Sequence, residues 1–383
     1  MIYFDNAATS FPKPPVVIKA MAEFMATTSA SPGRSGHRMA LEAGRVVFEA
    51  RETVAELFNV SDSSRVIFTI NVTWALNLVF NGLLAPQDHV VTTSLEHNSV
   101  MRPLTRLVKH RGIELTVVPA GPDGTVDPAR IALALTPRTR LIVINHASNV
   151  TGSIAPIRAI SRIKGQALLA VDAAQSAGSV VIDMNQLGID LLAFTGHKSL
   201  LGPTGTGGVC LAPGINLEPL VTGGTGSRSE EEEHPDFFPD CLEAGTPNTI
   251  GLAGLRAGVD FIRHTGLEKI REHEQALTRR LMEGLAEIPE VTVYGPADPM
   301  AKVPLVSITV AGFPADEICL RLDRDFGVAT RGGLHCAPRA HRTIGTFPHG
   351  TIRFSLGFFN TFDEIDVALA ALRQIVSHRQ TYR

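Results

Sequence analysis

The sequence predicts an α/β fold, in which a large domain with a mainly parallel seven-stranded sheet precedes a smaller α+β C-terminal domain. Seven short apolar runs recur in the first two thirds of the chain, and helical patterns separate several of them. Continuous apolar runs are typical of strands buried on both faces, and their alternation with helices indicates parallel strands. The chain has 383 residues, of which 44% are hydrophobic, so it is long enough for two cores.

The predicted elements follow in order along the chain. The strands of the large domain are predicted at residues 66–68, 89–91, 115–118, 141–144, 168–171, 191–194 and 208–211, with helices at 74–83 and 98–110. The Gly-rich, acidic segment 223–239 indicates an exposed loop. The C-terminal part predicts helices at 252–262, 267–288 and 316–325, strands at 305–310 and 350–356, and a closing helix. Thr361 and Glu364 have the spacing of a capping box for that helix. We expect an N-terminal arm over residues 1–15 that packs with the small domain, a large domain over 16–250 and a small domain over 251–383.

Charge and cysteine content restrict the partners and the compartment. The formal charge is −3 without a Lys/Arg run, which disfavours nucleic acid or a membrane as a partner and favours a small-molecule substrate. The four cysteines lack a C-x-x-C pair, so we expect neither a disulfide framework nor a zinc site. No signal-peptide pattern or membrane-length apolar run is present. We therefore expect a cytoplasmic protein.

Polar residues follow several of the predicted strands directly. They are His97, Asn149, Asp172 and Thr195, and in parallel sheets ligands bind beyond the carboxyl ends of the strands. Lys198 follows Thr195 closely, in a Gly-His-Lys turn. A lysine amine that can form a Schiff base and a carboxylate that can keep a ring nitrogen protonated are what pyridoxal phosphate needs. Alone, Lys198 is also consistent with a solvated surface charge, and Asp172 with a helix N-cap. Together they predict a pyridoxal phosphate site.

The cofactor phosphate requires hydrogen-bond donors. Thr73 and Trp74 lie at a predicted strand-to-helix turn, where helix N–H groups favour an anion. Thr195 and His197 are further candidate donors, whereas the glycines of segment 202–208 match no nucleotide motif and indicate a turn. His97 is a candidate for stacking on the cofactor and for proton transfer, with a structural histidine as the alternative.

Two further residues are candidates for substrate chemistry. Cys336 lies in a Gly-flanked polar loop, where Arg331 and His335 could favour its thiolate, and a metal site of His335, Cys336 and His341 is the competing interpretation. Cys210 and Cys319 fall in apolar patterns that indicate core thiols, and Cys241 is ambiguous. Arg353 alternates with apolar residues on a predicted strand, which fits either a surface arginine or a bidentate clamp for a carboxylate.

These residues together resemble the cysteine desulfurase and selenocysteine lyase family, within the class V aminotransferases of the fold-type I pyridoxal phosphate enzymes. The resemblance runs through almost the whole chain and rests on seven motifs in the family's order. They are 3–9 (YFDNAAT), Glu96-His97, 148–152 (SNVTG), 172–175 (DAAQ), 195–198 (TGHK), 243–248 (EAGTPN), and Arg353 with Asn360-Thr361. The loop 331–337 is similar to the group II pattern R-x-G-x-H-C-A, whose cysteine accepts sulfur.

The resemblance implies a role for each matching residue. Lys198 would carry the cofactor, Asp172 would pair with its ring nitrogen, and His97 would stack on the ring. The ring hydroxyl would contact Asn149 and Gln175. The phosphate would contact Thr73, Trp74, Thr195 and His197, and Thr246 from the opposite subunit of a homodimer. The substrate carboxylate would bind Arg353, with Arg331, Asn149 and His37 as further substrate contacts.

The resemblance also implies the reaction. Lys198 would remove the α-proton of L-cysteine, and Cys336 would take the sulfur as a persulfide and release alanine. A sulfur-acceptor protein or a small thiol would then receive the sulfur, for example for iron–sulfur cluster assembly. The alternatives are a selenocysteine lyase, another class V aminotransferase or lyase that does not use Cys336, and a non-catalytic pyridoxal phosphate-binding scaffold.

Three features depart from the family pattern. Leu334 replaces a histidine of many group II members, one extra residue separates Lys198 from the turn 202–205, and the loop 223–239 is short and acidic. None of them affects the cofactor set.

Overall fold

A computed structural model of the protein describes residues 1–33 and 36–380, and in these residues thirteen strands form three sheets. In chain order the strands are β1 (Ile2–Tyr3), β2 (Val66–Thr69), β3 (His89–Thr93), β4 (Glu114–Val118), β5 (Thr139–Asn145), β6 (Leu168–Asp172), β7 (Leu191–Thr195), β8 (Gly207–Leu211), β9 (Val291–Tyr294), β10 (Leu305–Val310), β11 (Val328–Ala329), β12 (Arg331–Gly333) and β13 (Thr351–Ser355). The α-helices are α1 (Pro15–Thr27), α2 (Arg38–Phe58), α3 (Val72–Leu83), α4 (Asn98–Arg111), α5 (Pro128–Ala134), α6 (Ile157–Ile163), α7 (Met184–Leu187), α8 (Thr249–Thr265), α9 (Leu267–Ala286), α10 (Ala315–Phe326), α11 (Pro338–Thr343) and α12 (Phe362–Gln380).

The large sheet has seven strands in the order β2-β8-β7-β6-β5-β3-β4. Its strands run parallel except β8, which is antiparallel to both β2 and β7. The short connection from Thr195 to Gly207 contains no helix, and a parallel return would need a longer crossover. The prediction of an α/β fold with a mainly parallel seven-stranded sheet is therefore confirmed.

Both faces of this sheet are covered by apolar side chains. One core includes Ile144, Val171 and Leu192, and the other includes Val143, Ala170 and Ala193, so successive strand residues point to opposite faces. The register pairs Asn145 with Asp172, so β5 and β6 end side by side at the same edge of the sheet. That edge positions the candidate site.

The second sheet is antiparallel, with four strands in the order β12-β13-β10-β9. A separate core lies between it and helices α9, α10 and α12, and includes Leu281, Leu322 and Leu372. Helix α12 begins with the predicted capping box: the Thr361 N–H donates to Glu364 Oε2 over 3.1 Å, and the Glu364 N–H donates to Thr361 Oγ1 over 3.3 Å. The sequence spacing therefore identified this helix start correctly.

The first residues of the chain are integrated into the C-terminal part. Strand β1 pairs in parallel with β11, and Phe4 is completely buried in the core of the second sheet. The backbone N–H of Ser355, on β13, donates to the Phe4 carbonyl over 2.8 Å. The segment that follows Phe4 is thereby held against β13, which carries Arg353.

Within residues 1–33 and 36–380, no helix combines the length and the apolar character needed to cross a membrane.

Candidate active site

Lys198 and Asp172 lie close together at the carboxyl edge of the large sheet. Asp172 ends β6, and Lys198 follows β7 in a turn whose Leu201 N–H donates to the Lys198 carbonyl over 2.8 Å. Burial lowers the pKa of Lys198 to about 8, and the Asp172 carboxylate opposes that shift. A larger fraction of this amine is therefore uncharged near neutral pH than of an ordinary lysine, which is the state required of a nucleophile.

The Asp172 carboxyl group is buried and held by two donors. Its Oδ1 accepts a hydrogen bond from the Ala174 N–H over 2.9 Å, and its Oδ2 accepts one from Ser99 Oγ over 3.4 Å. Burial raises its pKa, and these donors and Lys198 act against the rise. A turn rather than a helix follows Asp172, so the alternative of a helix N-cap is wrong.

His97 is connected to Asp172 through Ser99. The Ser99 N–H donates to His97 Nδ1 over 3.0 Å, and the Ser99 hydroxyl lies 2.9 Å from the same nitrogen. Burial, followed by the positive charges of Lys198 and Arg353, lowers the pKa of His97 to about 4. The ring is therefore neutral at pH 7, and because Nδ1 accepts a hydrogen bond its proton is on Nε2.

Arg353 is buried on β13, with 3% of its surface exposed, so the alternative of a surface arginine is wrong. Its Nη2 donates to Asp5 Oδ1 over 2.8 Å and its Nη1 donates to the Asn149 carbonyl over 3.2 Å, whereas its buried Nε has no partner among the described residues. Arg331, on the neighbouring strand β12, lies 3.9 Å from the other Asp5 oxygen. Two guanidinium groups thus share one carboxylate, which leaves them with an excess of positive charge.

Asn149 extends this arrangement towards the cysteine loop. Its Nδ2 donates to the His335 carbonyl over 2.6 Å, while its buried Oδ1 has no partner within residues 1–33 and 36–380. Asn149 therefore contacts both Arg353, on β13, and the segment that precedes Cys336.

Cys336 is exposed, and its backbone is held beside His97. The Asn98 N–H donates to the Cys336 carbonyl over 2.8 Å, and a thiolate at Cys336 would raise the pKa of the Arg353 guanidinium group. His335 and Cys336 both have positive φ angles, of 48° and 58°. For residues other than glycine, such conformations typically cost about 1–3 kcal/mol each and are concentrated at functional sites.

The metal interpretation of this loop gains no support from the geometry. His335 Nε2 lies 3.1 Å from Thr351 Oγ1, and His341 Nδ1 lies 2.7 Å from Thr346 Oγ1. Within the part of the chain that the structure describes, no three His, Cys, Asp or Glu side chains form a metal-binding group.

The predicted phosphate residues flank a close contact between α3 and the sheet. Asn71 caps α3 by accepting a hydrogen bond from the Trp74 N–H over 3.1 Å, and the first turn of a helix leaves further N–H groups without intrahelical acceptors. Gly207 pairs with Thr195 and lies so near that a Cβ there would be 2.7 Å from the Asn71 Cα. Thr195, Asn71 and the N-terminus of α3 are thereby brought together.

His197 joins the same region. Its Nδ1 is buried without a partner, and burial followed by the charge of Lys198 lowers its pKa to about 4. Its carbonyl accepts hydrogen bonds from Lys13 Nζ over 2.8 Å and from the Ser10 N–H over 3.0 Å. The turn that carries Lys198 is therefore fixed by the N-terminal segment.

Trp74 and Thr246 line one cavity of about 310 Å³. Thr73 and Thr246 are exposed, and 44% of the Trp74 surface is accessible.

Gln175 donates from its Nε2 to the Ala7 carbonyl over 3.0 Å. His37 is exposed, caps α2 by accepting from the Ala40 N–H, and has no hydrogen bond to another site residue among those that the structure describes. Its predicted contact with substrate stays a prediction.

Sequence reasoning gave no role to three residues of this arrangement: Asp5, Lys13 and Ser99. Asp5 and Lys13 are nearly 350 and 185 positions, respectively, from the groups they contact. The conspicuous N-terminal motif YFDNAAT was the one available signal for Asp5.

The arrangement combines three chemical capacities. A lysine with a lowered pKa interacts with a buried carboxylate, a buried arginine has an Nε without a partner among the described residues, and an exposed thiol is carried by a loop bonded to the start of α4. Such a set can bind an amino acid by its carboxylate, move a proton at its α-carbon and offer a nucleophile to its side chain.

Comparisons with known proteins agree with this geometry. An aminotransferase class-V family model matches residues 2–368. A probable cysteine desulfurase of Methanothermobacter thermautotrophicus is 36% identical over 382 residues, which cover 98% of this chain and 94% of the relative.

Two solved structures are similar over nearly the whole length. The apo structure of a cysteine desulfurase from Thermococcus onnurineus NA1 has a TM-score of 0.91 and 33% identity, and the match covers 98% of this chain and 95% of that one. The cysteine desulfurase CsdA (S-sulfonic acid) from Escherichia coli has a TM-score of 0.88 and 26% identity, with 98% and 94% covered.

Proposed function

Because the chain belongs to the class-V aminotransferase family, and because its relatives are named as cysteine desulfurases, we propose that it is a pyridoxal phosphate-dependent cysteine desulfurase. In this reaction L-cysteine gives L-alanine, and the sulfur is retained as a persulfide on Cys336. The observation that carries the proposal is the position of the Cys336 loop. Its backbone accepts a hydrogen bond from Asn98, the neighbour of His97, and its thiol is close enough to Arg353 to interact with it electrostatically. A class V enzyme without sulfur chemistry has no need of a thiol there.

The residues fit pyridoxal phosphate. Among the described residues, the buried polar atoms without a hydrogen-bond partner include Asn149 Oδ1, His197 Nδ1 and Arg353 Nε of the candidate site. Unpaired buried polar groups are costly, so these atoms indicate a polar group that completes them. Lys198 would hold the cofactor aldehyde, Asp172 its ring nitrogen and His97 its ring face, while Thr73, Thr195 and His197 would hold the phosphate. When bound, the cofactor supplies an electrophilic aldehyde and a ring that withdraws electrons from the substrate α-carbon.

Arg353, Lys198 and His97 each have a distinct role in the reaction. Arg353 binds the substrate carboxylate, with Asp5 and the Asn149 carbonyl fixing the plane of its guanidinium group. The Lys198 amine accepts the proton from the α-carbon, because its lowered pKa makes the uncharged form accessible. His97 stays neutral, since its pKa is far below 7.

Cys336 then takes the sulfur. A sulfur–sulfur bond forms between its Sγ and the substrate sulfur as the carbon–sulfur bond of the substrate breaks. L-Cysteine and one thiol thus become L-alanine and one persulfide, without an external oxidant or reductant. A reductant or a thiol acceptor regenerates the Cys336 thiol.

The direct test is turnover of L-cysteine by the purified protein supplied with pyridoxal phosphate. We expect alanine and sulfide in equal amounts when dithiothreitol is present. Without a reductant we expect alanine to stop after about one equivalent per Cys336. Absence of alanine in both conditions would refute the proposed function.

The pKa of Lys198 predicts the pH dependence of cofactor binding. Below about pH 8 the amine is mostly protonated and cannot attack an aldehyde, so the rate at which added pyridoxal phosphate develops its visible band should rise about tenfold from pH 6 to 7 and level off above about 9. Stopped-flow absorbance measures this rate. The same titration with Nα-acetyl-lysine corrects for the cofactor's own protonation. A rate that still climbs steeply beyond pH 10 would show an ordinary lysine.

We also propose that the protein is a homodimer in which Thr246 contributes to the partner's phosphate site. Thr246 is exposed, and the apolar side chains around its cavity remain accessible, with 50% of Ile70 and 49% of Val221 exposed. Apolar clusters of this kind are typical of protein interfaces.

Sedimentation equilibrium should therefore give twice the 41.0 kDa mass of the chain. Ile70→Glu should raise the dissociation constant of the dimer at least about tenfold, because a charge would be buried at the interface. Leu133→Glu is the matched control, since Leu133 is 87% exposed on α5. A wild-type mass of one chain would contradict the dimer.

A further inference from the structure

A cationic pocket lies directly beside the Cys336 loop. It occupies the space between the first turns of α4 and α11 and has a volume of about 250 Å³. Arg102, Arg339 and Arg342 line it, together with Asn98 and Thr105. We call this cavity the arginine pocket. Neither the cofactor nor the substrate roles proposed above use it.

The positive charge of the arginine pocket is not neutralised by neighbouring carboxylates. Each of its three arginines is exposed, and among the described residues none of them forms an ion pair. Arg342 packs over the Phe347 ring at 4.1 Å, which holds its guanidinium group without removing its charge.

Glu96 is the single acidic residue of the pocket lining. It is completely buried, and it accepts hydrogen bonds from Thr93 Oγ1 over 2.7 Å and from the Asn145 N–H over 3.0 Å. Burial raises the pKa of this carboxyl group to about 8, so it is mainly uncharged at pH 7. The pocket therefore keeps a net positive charge at neutral pH.

Residues of the pocket lining are connected directly to the backbone of the Cys336 loop. Asn98, in the pocket lining, donates its N–H to the Cys336 carbonyl over 2.8 Å, and Pro338 lies two residues after Cys336. The Thr343 hydroxyl donates to Ser94 Oγ over 2.8 Å and joins the end of α11 to the segment before α4. A ligand in the pocket thus lies beside the backbone of the loop that carries the exposed Cys336 thiol.

We propose that the arginine pocket binds a small thiol bearing two carboxylates, which serves as the acceptor of the Cys336 sulfur. This inference rests on the proposed function. The volume of about 250 Å³ is close to the lower end of small-molecule sites, about 300–1,000 Å³, so it suits a small organic anion. Three arginines match two carboxylates through charge-assisted hydrogen bonds.

Transfer of sulfur from the Cys336 persulfide to the small thiol conserves both atoms and electrons. The thiolate of the small molecule attacks the outer sulfur of the Cys336 persulfide. A new sulfur–sulfur bond forms on the small thiol, the sulfur–sulfur bond on Cys336 breaks, and Cys336 leaves as a thiolate. One sulfur atom moves, and no external oxidant or reductant is consumed.

The first test measures binding without any chemistry. Isothermal titration with 2-(methylthio)succinate, which has two carboxylates but no free thiol, should show saturable binding that weakens as sodium chloride is raised. Arg339→Gln/Arg342→Gln should weaken it about tenfold, because two charge-assisted contacts are lost. Arg158→Gln/Arg162→Gln on α6 removes the same charge from exposed positions elsewhere and should leave binding unchanged. No binding to the wild-type protein overturns the proposal.

The second test measures transfer in a single turnover. The protein is loaded with persulfide by L-cysteine, freed of cysteine, and mixed with mercaptosuccinate or its uncharged dimethyl ester. The rate ratio of diacid to diester should fall about tenfold in Arg339→Gln/Arg342→Gln relative to the wild type and to the α6 control. The diester rate and the alanine burst should stay unchanged. An equal ratio in all three proteins overturns the acceptor role, whereas failure to form any persulfide in the wild type would instead refute the proposed function.

Discussion

Lys198→Ala is expected to reduce alanine formation from L-cysteine by at least about a thousandfold, because it removes the amine that we propose both holds the cofactor and acts as the base at the α-carbon. The same variant should lose the visible absorption band that pyridoxal phosphate develops on the wild-type protein. Burial also lowers the pKa of Lys13 to about 8, but its amine donates hydrogen bonds to Ser10 Oγ and to the His197 carbonyl, so we do not expect it to replace Lys198.

Lys109→Ala is the matched control for this prediction. Lys109 is exposed near the end of α4, and its loss should change neither turnover nor the spectrum. Thermal unfolding of both variants separates a chemical defect from a folding defect. If Lys198→Ala retained the visible band and turnover, the assignment of the cofactor to this residue would be wrong.

Cys336→Ser is expected to reduce alanine formation from L-cysteine by about a hundredfold or more, while the visible absorption band of the loaded protein stays intact. A hydroxyl at this position is a far weaker nucleophile towards sulfur than a thiolate, and Cys336 is not among the residues that would hold the cofactor. Mass spectrometry after incubation with L-cysteine should find one added sulfur atom on the wild type and none on the variant.

Cys241→Ser is the control for the thiol, since Cys241 is only partly buried, whereas Cys210 is completely buried. Unchanged turnover in Cys336→Ser would contradict the persulfide mechanism and favour a class V lyase that does not use this cysteine. Turnover of L-selenocysteine retained after loss of activity on L-cysteine would favour the selenocysteine lyase alternative. The paired substrates thus separate the alternatives that the sequence left open.

The fold was predictable where apolar patterns were continuous. All seven strands of the large sheet coincide with apolar runs: the inner strands are buried on both faces and carry little polar alternation, and the partly exposed edge strand β4 keeps the run Leu-Thr-Val-Val. Strand β9 escaped prediction, since it has only four residues, none of them fully buried, at the edge of the four-stranded sheet. Strands β1, β11 and β12 have two or three residues each, too few to show a period.

The site was predictable where residues cluster in sequence, and less so where contacts cross the chain. Lys198 and Asp172 follow adjacent strands, so strand order alone brings them together. The partners of Arg353 could not be derived in this way: its salt bridge to Asp5 spans 348 positions and depends on the pairing of β1 with β11. The contact of Ser99 with Asp172 could not be predicted, because serine is common at the second position of a helix.

The attachment of the first thirteen residues has a practical consequence for protein engineering. Asp5 forms a hydrogen bond with Arg353, the Ala7 carbonyl accepts one from Gln175, and Lys13 donates one to the His197 carbonyl, next to Lys198. These residues therefore belong to the candidate site. Hybrids made by joining two homologous parents should therefore inherit this stretch and the segment 328–356 from the same parent, and purification handles are better fused at the opposite terminus.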